Sequence, residues 1–328
     1  MRVFVTGATG FIGHHLCQRL VERGDHVVGL VRSPARAARL SSEVELMTGD
    51  LGILADARTV LPPCDVVVHL AGLVAADRLS DYEAINFLAV RDLLSCIDRQ
   101  AWKPKRLLLA SSLAAAGPSA PDHPWTENDA LRPIEPYGMA KAMAEPIVRD
   151  APFPTTSFRP PIVFGPGDEA TLTFFKAARA GVGLRVAGDP QQLSFVDVRD
   201  LVDAILRMAD DPRTGSFVYY TSHPDRMDLA EMWRALGHAV RRSVRVVPIP
   251  RALLYAAMVV STILSKIFRY KNRLDSKQYR QMVAPAFVCS SEKLRKELCW
   301  TPRHDLDAAL TNAADGYRAA GWLPQLKS

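Results

Sequence analysis

The sequence predicts an α/β fold, a doubly wound parallel sheet followed by a smaller C-terminal α/β lobe, and three observations carry that prediction. Short β-branched apolar runs alternate with helical patterns through the first half, a glycine triplet marks the first turn, and the rhythm loosens beyond residue 150. At 328 residues the chain is also longer than one domain usually is. Hydrophobic residues make up 48% and charged residues 23%, which supplies a normal core and excludes a disordered chain.

The elements follow in order. Val3–Val5 reads as a strand, Phe11–Arg23 as a helix stopped by Gly24, and His26–Arg32 as the second strand. Val44–Met47, Asp65–Leu70 and Arg106–Ala110 continue the strands, with a long helix predicted over Asp81–Arg99. Strand and helix alternating at this pace imply βαβ units. Arg159-Pro160-Pro161 and Phe164-Gly165-Pro166-Gly167 mark a turn where the chain leaves the sheet. Gln192–Met208 and Phe217–Thr221 read as a return to it, and Ser222–Ala286, with a strand at Val244–Ile249, as much of the lobe. The expected division is residues 1–168 and 169–328, with 190–222 rejoining the first sheet.

Charge and cysteine narrow the setting. The net charge of +6 arises from 41 basic against 35 acidic residues, an excess that reads as spread along the chain and does not call for nucleic acid. The five cysteines are scattered, form no C-x-x-C and suggest neither disulfides nor a metal site. Met1-Arg2 runs straight into the first strand without a secretory pattern, so a cytoplasmic protein is expected.

Gly7, Gly10 and Gly13, with Thr9, Phe11 and Ile12 between and beside them, join the first strand to its helix. Such a turn lets the backbone approach a pyrophosphate while the helix N-terminus offers free N–H groups, the Rossmann-type arrangement for a dinucleotide. The plainer alternative is an ordinary tight βα turn. At the end of the second strand, Arg32, Ser33 and Arg36 stand where a carboxylate would bind an adenosine 2′-hydroxyl, and no acid occurs from Val27 until Glu43. That predicts NADP, with Arg32 as phosphate clamp, the alternative being NAD with Arg32 stacked on adenine.

Tyr137 is the chain's only tyrosine followed four residues later by lysine, Lys141, which puts both on one helix face. An ammonium there, with the charge of an oxidised nicotinamide, is expected to draw the phenol down from about 10 and make it a usable acid.

These motifs resemble the extended short-chain dehydrogenase/reductase superfamily, in the group of nucleotide-sugar epimerases, dihydroflavonol reductases and 3β-hydroxysteroid dehydrogenases. The similar segments are Thr6–Gly13, Gly49-Asp50-Leu51, His69–Gly72, Asn86, Ser111-Ser112, Tyr137–Lys141, Arg159-Pro160, Phe164–Gly167 and Phe195–Asp200. The resemblance implies that Ser112 hydrogen-bonds the substrate oxygen, Tyr137 donates the proton and Lys141 tunes the phenol and grips the nicotinamide ribose. Asp50 and Leu51 are similar to the adenine-contacting pair, Leu70, Ala71 and Gly72 to backbone lining the cofactor, and Pro160, Ile162 and Val163 to the nicotinamide end. Asn86 belongs either with these or with the support of a neighbouring strand. The family implies a homodimer through the Asp81–Arg99 and Tyr137–Arg149 helices.

Two departures stand out: Ala116, where many sugar epimerases carry tyrosine, and Pro146, which is expected to kink the helix beyond Lys141. Asp197 reads as a helix cap with Asp200 in the first turn, and Thr126-Glu127 as a structural loop. Ser291–Pro302 is similar to the family's closing helix, which packs back on the cofactor unit.

Pro250–Leu264 is the most apolar stretch, flanked by Arg251, Lys266, Arg269, Lys271 and Arg273. Its uninterrupted core falls short of the ~20 residues a membrane span needs. It reads either as a buried helix of the lobe or as an interfacial helix with peripheral membrane contact through 251–273, at the inner face of a membrane. The expected activity is NADP-dependent oxidoreduction of a ketone or secondary alcohol on a hydrophobic, sterol- or lipid-like small molecule. The alternatives are a nucleotide-sugar epimerase or dehydratase holding NAD tightly, and a non-catalytic dinucleotide sensor.

Overall fold

The computed structural model describes residues 1–76, 78–188, 190–268 and 279–325, with backbone alone for 265–268. The first strands are β1 (Arg2–Thr6), β2 (His26–Val31), β3 (Glu45–Thr48), β4 (Val66–His69), β5 (Arg106–Ala110) and β6 (Thr155–Arg159). Then come β7 (Ile162–Phe164), β8 (Val182–Val186), β9 (Gln192–Asp197), β10 (Ser216–Tyr220), β11 (Arg226–Asp228), β12 (Arg245–Ile249) and β13 (Ala286–Phe287). The helices of the first part are α1 (Phe11–Glu22), α2 (Leu79–Glu83), α3 (Ala89–Asp98) and α4 (Pro136–Arg149). They are followed by α5 (Leu172–Arg179), α6 (Val198–Ala209), α7 (Leu229–Val240), α8 (Arg251–Phe268), α9 (Tyr279–Met282), α10 (Glu292–Glu297) and α11 (Leu306–Ala319).

A seven-stranded parallel sheet in the order β10-β6-β5-β4-β1-β2-β3 forms the body. Its central strands are continuous apolar runs because both faces are covered. Val3, Val5, Val66, Val68 and Leu108 face α1 and α6 through Leu16, Leu20, Leu201 and Ile205. Phe4, Val67, Leu107 and Leu109 face α3 and α4 through Leu93, Ile97, Ala144 and Val148. The period of two along each strand thus feeds two cores, which is the doubly wound arrangement.

The rest of the chain builds smaller sheets. β9 pairs with β7, β11 and β13, and β12 pairs with β8. Of the segment 190–222, read as returning to the large sheet, β10 enters it and β9 pairs outside it. Of the intervening segment α6 lies against the body, packing on α1 and β5, and Val196 of β9 reaches the same core. The physical reason is that a strand's pairing partners are non-local, so the local pattern of Gln192–Asp197 does not declare which sheet it joins.

The helix read over Asp81–Arg99 is α2 and α3 joined by a π-helical turn at Ala84–Leu88. Pro146 does not end α4, which runs on to Arg149. Asp197 caps α6 by accepting from Arg199 N, as expected. Asp200 does more than complement the helix dipole: it is buried and accepts from Arg303 N and His304 N, both at 3.0 Å, tying down the C-terminal segment. Trp300 packs into the same core and donates to Asp200 O. Glu127 accepts from Tyr220 N at 2.8 Å and pins its loop to β10.

Buried placement of α8 is overturned: Leu253 is 60% and Val260 54% exposed. Among the described residues no helix is long and apolar enough to cross a membrane, and no cluster suited to a metal ion occurs.

Candidate active site

Strand order runs outward from β1 in both directions, β2 and β3 to one side and β4, β5 and β6 to the other. In such sheets the ligand crevice lies beyond the carboxyl ends of the strands at this switch point. The residues singled out in the sequence follow those same ends.

Gly7 adopts φ +73° and stands so close to the β4 loop that a Cβ would lie 2.7 Å from Ala71 N. A Cβ on Gly13 would lie 2.1 Å from Gly7 O, so the helix can close on the turn only without a side chain there. Gly10 starts α1 with no side-chain cap and no acid in the first turn. Gly10 N donates to Gly7 O at 2.9 Å and closes the turn, which leaves the N–H groups at Phe11 and Ile12 set up for an external anion, a fit for a diphosphate. Thr9 and Gly10 are exposed beside them.

Arg32 leaves the end of β2, exposed, and Ser33 precedes the short 3-10 turn that carries Arg36. Neither arginine has an ion-pair partner among the described residues. Asp50 follows β3 and accepts from Gly52 N at 2.8 Å, fixing the turn that begins with half-buried Leu51. Leu70, Ala71 and Gly72 follow β4. Asn86, in the π turn, accepts from Leu73 N and donates to Leu73 O, both at 3.0 Å, so its amide shapes that loop. A Cβ on Gly72 would meet Asn86 Oδ1 at 3.0 Å and Lys141 Nζ at 3.1 Å, which brings three of the chosen residues to one spot.

Ser112 follows β5 and accepts from Ala114 N at 3.1 Å. Tyr137 and Lys141 lie one turn apart on α4, which approaches Ser112 closely because Gly138 has no side chain: a Cβ there would lie 2.2 Å from Ala114 O. The Ser112 hydroxyl interacts with the Tyr137 phenol. Lys141 is buried, donates to Ala110 O at 2.7 Å, and its Nζ is 6.0 Å from the Tyr137 ring centroid. Pro160 ends β6 and accepts from Leu113 N, while Ile162 and Val163 enter β7, Ile162 packing on the lobe core and Val163 on the core of the body.

Without the cofactor's charge, the chain's own groups act on the phenol differently from the pull expected of the lysine. Burial pushes the Tyr137 phenol up to about 12; the Ser112 hydroxyl pulls it down and the Glu135 carboxylate pushes it up. The chain's own groups therefore do not draw the phenol toward neutral pH, since the ammonium of Lys141 is turned to the Ala110 carbonyl. Burial also lowers Lys141 to about 8, against which Glu145 acts.

Glu145 went unremarked in the sequence. It is buried and bidentate with Arg159, with bonds of 2.9 and 2.6 Å, while Ser111 donates to it and Arg159 donates to Tyr220 Oη at 3.0 Å. The available signal was spacing, for Glu145 stands four residues after Lys141 on the same helix face. Glu135 was missed too: half-buried just before Tyr137, its carboxyl is pushed by burial up to about 7.

Glu135→Gln removes a charge that raises the phenol, so the alkaline limb of a pH–rate profile in the reductive direction should move to lower pH. A carboxyl whose folded pKa is raised favours the fold below its unfolded value near 4.5, and that support is lost as pH rises through about 7. The variant's thermal midpoint should therefore gain on the parent's above pH 7 and match it near pH 4; an unmoved limb and equal midpoints at both pH values refute this role.

A separate cavity of about 320 Å³ lies in the lobe, walled by Arg185, Val186, Leu229, Arg251, Met282 and Pro285 among others; Ser112, Tyr137 and Lys141 do not line it.

A parallel doubly wound sheet with a glycine turn at its switch point and a serine, tyrosine and lysine at the adjoining strand ends defines an NAD(P)-dependent enzyme of the extended short-chain dehydrogenase/reductase type. Residues 3–219 match the model of the NAD dependent epimerase/dehydratase family, and the chain belongs to that family. It is similar to the ceramide reductase of Caulobacter vibrioides, 27% identical over 324 residues that cover 98% of this chain and 96% of that protein. It is also similar to the UDP-glucose 4-epimerase of Vibrio cholerae, 28% identical over 263 residues, 76% of this chain and 78% of the other. Among solved structures, the UDP-glucose 4-epimerase of Thermus thermophilus in complex with NAD shares the fold with a TM-score of 0.76 at 21% identity, covering 98% of this chain and 100% of that one.

Proposed function

We propose that this protein reduces the ketone of a hydrophobic, lipid-like small molecule with NADPH. The observation that carries the reading is the meeting of Ser112, Tyr137 and Lys141 beside the glycine turn. The similarity to a ceramide reductase supports the substrate class because it extends over 98% of the chain and so includes the lobe. Bound on the turn, the nicotinamide dinucleotide would supply hydride. Ser112 holds the carbonyl oxygen, Tyr137 gives it a proton, and Lys141, kept charged by Glu145, orients the ribose. Residues 1–168 with β10 serve the cofactor, and 169–328 mainly the substrate. Incubation with NADPH and long-chain ketones, followed by loss of reduced-nicotinamide absorbance, tests this directly; no consumption with any lipid ketone sinks it.

NADP is favoured over NAD by Arg32 and Arg36, two exposed cations at the end of β2 without an ion-pair partner among the described residues, with Ser33 between them. Arg32→Asp is expected to raise KM for NADPH about 10- to 100-fold relative to NADH, the size of one or two charge-assisted hydrogen bonds. An unchanged preference removes Arg32 from that role.

A second reading, epimerisation of a nucleotide sugar, is favoured by the Vibrio cholerae relative. It predicts turnover without net cofactor consumption. A homodimer through α3 and α4 belongs to the same proposal, supported by exposed Met139 and Met143 on α4; sedimentation velocity should return a dimer, and a monomer at assay concentration rejects it.

A further inference from the structure

Helix α8 has the amphipathic period of a soluble helix turned inside out. Leu253, Ala256, Ala257, Val260, Ile263 and Leu264 recur at i, i+3, i+4, i+7, i+10 and i+11, and all six are exposed. The inward side is held by buried Met258 and half-buried Leu254, and the helix start by Tyr279, whose ring packs on Tyr255 at 5.0 Å. The adjoining β8 and β12 expose Val182, Leu184 and Val247, the last two paired across the strands. Soluble proteins rarely leave so large an apolar surface uncovered without a partner.

The charge around it says which partner. Between Met232 and Leu274 there are nine Arg and Lys and no Asp or Glu, so this stretch carries +9 against +6 for the whole chain, and everything else sums to −3. The basic excess is thus not evenly spread but gathered in the stretch of sequence that contains the apolar helix. Lys266 contributes as sequence alone, and Arg269, Lys271 and Arg273 lie outside the described residues. Arg251, at the start of α8, is exposed and also walls the 320 Å³ cavity of the lobe.

We propose that α8 seats the protein on an anionic lipid bilayer, its apolar face set into the interface and the cations of this basic stretch drawn to lipid phosphates. Apolar burial of ~5–10 Å depth, together with attraction of basic residues to anionic lipids, is what such helices use. The proposal deepens the lipid-substrate reading and rests on it only for the purpose the surface serves.

The test is co-sedimentation of the full chain with vesicles of phosphatidylglycerol and phosphatidylcholine, and with phosphatidylcholine alone. Binding is expected to the anionic vesicles, to weaken with added salt, and to fall at least tenfold in Leu253→Glu/Val260→Glu/Leu264→Glu, whose exposed positions leave the circular dichroism and thermal midpoint unchanged. No binding at low salt, or undiminished binding by the triple variant, overturns the proposal. So does a parent dimer that the triple variant converts to monomer, which would make a second copy the occupant. Reduction of a short, water-soluble ketone by the triple variant at the parent's rate is expected as well. If vesicle binding holds while neither protein reduces any ketone, the membrane seat stands and the ketone reading fails.

Discussion

Tyr137→Phe is expected to lower kcat by roughly 10²–10⁴, the contribution of a positioned acid, while leaving cofactor affinity and fold intact. The substitution removes one oxygen and keeps the ring packed between α4 and the Ser112 turn. Because burial holds the phenol at about 12, it stays protonated across the physiological range, which suits proton donation to a carbonyl. The oxidative direction needs the phenolate, and there the parent's rate should climb with pH as the phenol begins to ionise. Steady-state kinetics in both directions, with dinucleotide binding followed by fluorescence titration, separate chemistry from binding. Full turnover by Tyr137→Phe would remove this residue from the reaction; loss of cofactor binding along with activity would show a structural role instead.

Arg159→Met is the second large effect, an expected loss of ~3–5 kcal/mol in unfolding free energy, because it strands the buried carboxylate of Glu145. Against a typical total of ~5–15 kcal/mol this approaches the margin of folding. The double variant Glu145→Gln/Arg159→Met removes both charges and should recover much of the loss, giving a coupling energy well above that of exposed pairs. Chemical denaturation of the four proteins reads the cycle. Glu145→Gln alone should also reduce activity near neutral pH, since Glu145 opposes the burial that lowers Lys141 to about 8. Additive losses across the cycle would show that the pair is not coupled.

Much of the site was legible in the sequence because its parts are local. Gly7, Gly10 and Gly13 declare a turn by the lack of side chains, and Tyr137 with Lys141 share a face by helical period alone. The ends of β1 to β5 were legible as well, for each candidate stretch stands just after a short, mostly apolar run. Glu145 was not: nothing near it in the chain announces that Arg159, on β6, and Ser111, at the end of β5, will close over it. Nor was the height of the Tyr137 phenol, which depends on how much solvent its surroundings exclude.

From composition and pattern alone came the alternation of strand and helix, the dinucleotide turn and the pairing of tyrosine with lysine, all set by steric and periodic rules acting within a few residues. Only the tertiary structure decided that β9 leaves the body for its own small sheet, that Glu145 and Arg159 stand behind Lys141, and that α8 shows its apolar face to solvent. Pairing and burial depend on which distant segments arrive at a surface, and an apolar helix reads the same in sequence whether or not anything comes to cover it.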